Sequence, residues 1–219
     1  MPLTIENLLQ NHPALLVCRD SIETARELLI DTYRAGGKLL LCGNGGSCAD
    51  CDHIAGELLK GFLSHRPLSE EDCMALADSL PEGEADPDLY LLAGQLQGGL
   101  PAISLPSQVA VVTAVSNDTD PALIFAQSVW ALGQAGDTLI CLSTSGNSRN
   151  VVLAAKAARA KGLRVLALTG EAESALSALA DVTVQAPACD TYRVQEYHLP
   201  IYHYLCAAVE EALFEGGNP

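Results

Sequence analysis

Apolar positions along the chain change period several times, and each change marks an element. The short apolar run Lys38 to Cys42 stops at Gly43-Asn44-Gly45-Gly46-Ser47, after which Ala49, His53, Ala55 and Leu58 fall at helical spacing. The pattern is strand, glycine loop, helix. It recurs where Asp137 to Cys141 runs into Ser143-Thr144-Ser145-Gly146-Asn147-Ser148 and then an alanine-rich stretch from Asn150 to Lys161. Arg164 to Leu168 and Val182 to Gln185 read as further strands. Ahead of the first strand, Asp20 with Glu23 has the form of a capping box opening a helix through Arg34, and Gly36-Gly37 stops it. The final long element, Thr191 to Phe214, is helical in pattern despite Pro200, a residue that can kink a helix, and the tail Gly216-Gly217-Asn218-Pro219 is expected to fray.

Strands alternating with helices predict an α/β fold: a three-layer sandwich with a mostly parallel sheet covered on both faces. Ligands in such folds bind outside the carboxyl ends of the strands, where both polar loops lie. Residues 64–100 read differently, because Pro67, Ser69-Glu70-Glu71-Asp72, Pro81-Glu82-Gly83-Glu84 and Pro87 break the periodicity, although Leu89 to Gln97 allows a helical turn or two. This segment is an excursion within a single domain spanning 1–219, a length that supports one sizeable core.

Charge narrows the partners. With 12 Lys+Arg against 27 Asp+Glu, a net charge of -15, the chain repels phosphate backbones and anionic lipid, so neither nucleic acid nor membrane is expected as a partner. Met1 to Gln10 has no basic region before an apolar core, and no apolar run approaches the ~20 residues that span a bilayer, so a cytoplasmic location is expected. In that setting the eight cysteines are reduced thiols. Cys48 and Cys51 form a CxxC beside His53, but with no second CxxC they read as small buried side chains rather than a zinc or redox site.

An acidic chain must hold an anionic ligand locally. The loop at Gly43–Ser47 lacks both the GxGxxG spacing of dinucleotide sites and the lysine of a P-loop, which leaves a tight structural turn or a general phosphate or hydroxyl cradle. The second loop says more: four hydroxyl side chains, Ser143, Thr144, Ser145 and Ser148, lie within six residues at a strand end and helix start. Hydroxyls and free N–H groups together can ring a phosphomonoester without Lys or Arg. His53 and Glu57, four apart, share one helical face, and Gln195 and His203, eight apart, lie near one face of the last helix. His198 with Glu196 reads as a solvated helix face, and Trp130 with Leu123, Phe125 and Leu132 as core or subunit contact.

These motifs, in this order, resemble the phosphoheptose isomerases of the sugar isomerase (SIS) domain class over residues 20–63 and 101–214. The resemblance implies a flavodoxin-like SIS domain and an aldose-ketose isomerase that acts on a sugar phosphate without an organic cofactor, with sedoheptulose 7-phosphate to D-glycero-D-manno-heptose 7-phosphate as the implied reaction. It implies substrate and phosphate contacts from Asn44, Gly45, Gly46, Ser47, Asn117, Asp118, Ser143, Thr144, Ser145, Ser148 and Gln195, and a catalytic pair in Glu57 and His203. It also implies zinc on His53, Glu57, Gln195 and His203, and a homotetramer. Two positions depart from the family pattern: Gly61, after Lys60, stands where relatives carry a basic residue, and Tyr192 where some carry an acidic one. Both bear on the identity of the sugar more than on the reaction. The alternatives are a SIS-domain protein that binds a phosphosugar or a protein without catalysis, and an etherase or isomerase of an amino-sugar phosphate. Retention of Glu57, Gln195 and His203 argues for catalysis, since pure binding needs no acid-base pair.

Overall fold

The computed structural model describes residues 3–79 and 87–215. Helix α1, Ile5–Asn11, is capped by the Thr4 hydroxyl, which accepts from the Asn7 amide at 3.2 Å. A 3-10 turn over Pro13–Cys18 leads into α2, Arg19–Arg34. Here the expected capping box is corrected, because the helix already runs at Asp20, its N-cap is Cys18, and no side chain caps it. Glu23 instead accepts from the Tyr204 hydroxyl at 2.5 Å and pairs with Arg26 at 3.2 Å, so its carboxylate serves a packing contact.

Strand β1, Leu39–Gly43, precedes α3, Gly46–Leu59. Then come α4, Glu70–Asp78, and α5, Pro87–Gln95, followed by β2, Ala102–Ser104. Helix α6, Val109–Asp118, a 3-10 turn at Pro121–Leu123 and α7, Ile124–Leu132, lead to β3, Thr138–Leu142. The chain closes through α8, Arg149–Ala160, β4, Arg164–Thr169, β5, Val182–Gln185, and α9, Thr191–Glu210, which carries Pro200 inside it. A π-type turn over Glu211–Glu215 follows it, so the helix expected through Phe214 changes its winding four residues earlier. The tail 216–219 lies outside the described residues.

Five parallel strands in the order β2-β1-β3-β4-β5 form the sheet. Its central strands are buried on both faces, as an all-parallel sheet requires. Alternate residues go to opposite layers: Leu39, Leu41, Ile140, Leu142, Leu166 and Leu168 pack toward α2, α3 and α9. Leu40, Cys42, Leu139, Cys141, Val165 and Ala167 pack toward α7 and α8. The expected three-layer sandwich is the fold of the chain. Because β1 and β3 are neighbours, with Gly43 opposite Leu142, the two polar loops that follow them emerge side by side.

The excursion is more ordered than its prolines suggest. Ser69 caps α4, its hydroxyl accepting from the Asp72 amide at 3.1 Å while the Asp72 carboxylate reaches back, so Ser69 to Asp72 opens a helix instead of breaking one. Pro87 begins α5 where a turn or two was expected from Leu89, and Pro81 to Glu84 lie outside the described residues. Arg66, at the root of the excursion, is fully buried and bonds Glu210 of α9 at 2.7 Å. The Glu210 carboxylate also accepts from the amides of Phe62, Leu63 and Ser64 at 2.7–3.0 Å.

Candidate active site

Both polar loops owe their shape to glycine. Gly45, at φ +58°, starts α3, and a Cβ on Gly46 would sit 2.3 Å from the Gln195 amide nitrogen, so Gln195 of α9 lies directly against the loop. In the second loop Gly146, at φ +63°, leaves no room for a Cβ beside Ser174. The loops are also tied to each other. Asn44 and Asn150 exchange reciprocal amide hydrogen bonds of 2.9 and 2.8 Å, holding the 43–47 turn against the start of α8.

The 143–148 loop brings hydroxyl groups to the start of α8. Ser148 stands at the N-cap of α8 yet makes no capping bond; its hydroxyl accepts from Ser143 at 3.1 Å. First-turn amides of a helix are orphan donors with favourable dipole for negative charge. Ser143 and Ser47 are buried, and Ser145 is exposed at the rim.

A second cluster lies further along α3, where it packs on α9. His53 Nε2 is 3.1 Å from Glu57 Oε1, and His53 Nδ1 is 2.9 Å from the Tyr202 hydroxyl, which donates to Asp50 at 3.3 Å. The His203 ring meets the His53 ring edge-on at 5.0 Å. Burial lowers the His203 pKa, His53 adds to that, and Glu57 opposes it, so His203 is held toward its neutral form, which can both donate and accept a proton. Burial lifts the Asp50 carboxyl above its ordinary range against the opposing pull of Tyr202 and His53.

The candidate residues therefore fall into groups. Asn44 to Ser47, Ser143 to Ser148 and Gln195 gather at the strand ends, whereas His53, Glu57 and His203 gather where the middle of α9 crosses α3. Gly46 and Glu57 are eleven residues apart, about 16 Å of helix. Asn117 and Asp118 stand apart again, exposed at the end of α6 and bonded to each other at 2.8 Å. Gln195 is about 12 Å of helix from His203, and among the described residues no three His, Cys, Asp or Glu side chains stand as a metal-ligand set. The eight cysteines are free thiols, with Cys51 buried and Cys48 partly so.

His198 corrects its expected place on a solvated face. It is fully buried, with Nε2 3.2 Å from the Thr169 carbonyl oxygen and Nδ1 unpartnered. Burial lowers its pKa to about 4. The folded state thus refuses a proton that the unfolded chain accepts from about pH 6.5 downward, so stability is fully present above that pH and drains toward pH 4, by roughly 3 kcal/mol at most. Urea unfolding at pH 7 and pH 4.5 should show this steepness in the wild type and less of it in His198→Gln; equal steepness in both would remove the assignment. Trp130, Leu123 and Leu132 are exposed, while Phe125 is core.

The chain is a parallel α/β sandwich with two polar loops at its strand ends and a separate imidazole-carboxylate cluster. The SIS domain family matches residues 17–89 and 83–170. Phosphoheptose isomerases from Thermodesulfovibrio yellowstonii and Trichlorobacter lovleyi are 38% and 36% identical to the chain, over 89% and 96% of it and 81% and 94% of the relatives. The solved phosphoheptose isomerases of Neisseria gonorrhoeae and Francisella tularensis superpose with TM-scores of 0.72 and 0.73 at 31% and 29% identity, each over 94% of both chains. The chain belongs to the phosphoheptose isomerases of the SIS domain family, and its activity is that of a sugar-phosphate isomerase. Among the described residues no helix is long and apolar enough to cross a membrane.

Proposed function

We propose that the chain interconverts sedoheptulose 7-phosphate and D-glycero-D-manno-heptose 7-phosphate through an enediol. The observation that carries this reading is the Glu57 carboxylate, held through one oxygen by His53 at 3.1 Å with His203 alongside. Glu57 takes a proton from one of C1 and C2 and returns it to the other, and His203 moves a proton between the hydroxyl and carbonyl oxygens. The phosphate sits in the 143–148 loop beside Asn44, Gly45, Gly46, Ser47 and Gln195, with Asn117 and Asp118 on the polyol. His53, Glu57, Gln195 and His203 carry the donor chemistry that zinc takes.

The 16 Å of α3 between cradle and base favours a site completed between copies, and a homotetramer is the proposed assembly. Surface composition supports it: α6, rich in valine, buries none of its residues, and Leu16, Val17 and Trp130 are exposed by 57–80%. The test of function is incubation of purified protein with sedoheptulose 7-phosphate and with pentose, hexose and amino-sugar phosphates, followed by separation of isomeric products. Turnover of an amino-sugar phosphate alone would overturn the substrate. In the same assay Ser145→Ala is expected to weaken phosphate binding by roughly 1–3 kcal/mol, and an unchanged KM and kcat would contradict its role.

A further inference from the structure

Helix α8 begins without the bond that usually opens a helix. An N-cap hydroxyl normally accepts from an amide two or three residues on, but the Ser148 hydroxyl accepts from Ser143 instead. The Val151 amide is met by the Asn150 carboxamide, whose Oδ1 accepts it at 3.0 Å. That bond fixes which atom of Asn150 is the oxygen, since an N–H can only meet an acceptor. The same Oδ1 accepts from Asn44 Nδ2 at 2.9 Å, so Asn44 Oδ1 is the atom that receives Asn150 Nδ2 at 2.8 Å. The two carboxamides thus close a ring of determined sense between the loops that follow β1 and β3. The Ser148 hydroxyl is relieved of capping, and the amides of α8 ahead of the bond from Val152 to the Ser148 carbonyl stay available to a ligand.

We propose that Asn150 is a positioning residue for the substrate's phosphate: through Asn44 it clamps the 43–47 turn onto the 143–148 loop and makes the two loops one anion site. This rests on the reading of these loops as the phosphate cradle. The turn needs a tie of this kind, because Asn44, Gly45 and Gly46 are all exposed and a glycine pair carries the largest backbone freedom to be lost when a ligand orders it. A turn already held by Asn150 has lost that freedom before the phosphate arrives.

Inorganic phosphate, competing with the sugar phosphate, reads the anion site without the sugar. Asn150→Ala is expected to raise both its inhibition constant and the substrate KM about tenfold with kcat within about twofold, the result of losing a pair of bonds that order a binding loop. In the Asn44→Ala background, where the clamp is already open, the same substitution should add less than about twofold, and effects that multiply would overturn the clamp. Asn150→Asp keeps an acceptor for Val151 and Asn44 and puts a carboxylate in the first turn of α8. It should melt no lower than wild type yet bind phosphate more weakly than Asn150→Ala, whereas a merely structural role would rank phosphate binding by melting temperature. Hydrogen exchange of the peptide covering 43–48, measured without phosphate, reads the clamp alone: it should quicken several-fold in Asn150→Ala, and an unchanged rate overturns the proposal. If Ser145→Ala weakens phosphate inhibition and Asn150→Ala does not, the proposal falls while the cradle stands. If both leave inhibition and KM unmoved, the cradle reading falls and takes the phosphate role of Asn150 with it.

Discussion

Replacing Glu57 by Gln is expected to lower the turnover number by ~10²–10⁴-fold while the chain still folds and still binds phosphate. The amide keeps the length and planarity of the carboxylate and can still hydrogen-bond His53 through its oxygen or its nitrogen, so the packing of α3 on α9 is preserved. What it loses is basicity. The proposed phosphate cradle lies about 16 Å up the same helix and involves other side chains, so a defect confined to kcat marks the proton step. If Glu57 served only as a zinc ligand, the variant would lose metal and regain activity when zinc is supplied. Solvent deuterium incorporation at C1 or C2 separates the two: exchange by Glu57→Gln at the wild-type rate would end the assignment.

Much of the fold could be read from the alternation of apolar runs with glycine-rich or hydroxyl-rich stops. Val182–Gln185 is the strand expected, and β1, β3 and β4 lie within a residue of their expected bounds, because buried parallel strands are continuous apolar runs that end where polar loops begin. Strand β2, with three residues, is too short to leave such a run. The two polar loops were legible for the same reason, since each is a contiguous run that follows a strand. What spacing could not convey is the position of one helix along another: Gln195 and His203 share a face of α9, but eight residues of rise carry one to Gly46 and the other to His53. His198 lies on the same helix, and it is buried where its ring meets the Thr169 carbonyl of β4. Asp50 and Tyr202 escaped notice because their tie runs between α3 and α9, far apart in sequence. The signal for Asp50 was present, one turn ahead of His53 on the same helix.

The largest loss of stability is expected from Glu210→Ala. Glu210 and Arg66 are both about 1% exposed, and neither charge has water to fall back on. Burial alone would raise the Glu210 pKa, yet the Phe62 and Leu63 amides and the Arg66 guanidinium reverse the shift, so the carboxylate is held below its ordinary range. Truncation would leave the Arg66 charge buried, its remaining partners being the Leu58 and Glu57 carbonyls and the face of the Phe214 ring, and would also orphan three backbone amides. Breaking a buried pair from one side costs about 3–5 kcal/mol, and each unmet buried donor adds to that. Urea unfolding at fixed protein concentration and pH 7 should therefore show a loss of that size. The double variant Arg66→Met with Glu210→Leu removes both charges at similar volume. If the pair's charge were the whole of the matter, the double variant would recover wild-type stability. Partial recovery is expected instead, because Phe62, Leu63 and Ser64 still point their N–H groups at a side chain that can no longer accept. Full recovery would show that the carboxylate is there for Arg66 and not for the turn after α3; a loss below about 1 kcal/mol for Glu210→Ala would show that water enters and that the clasp is open in solution.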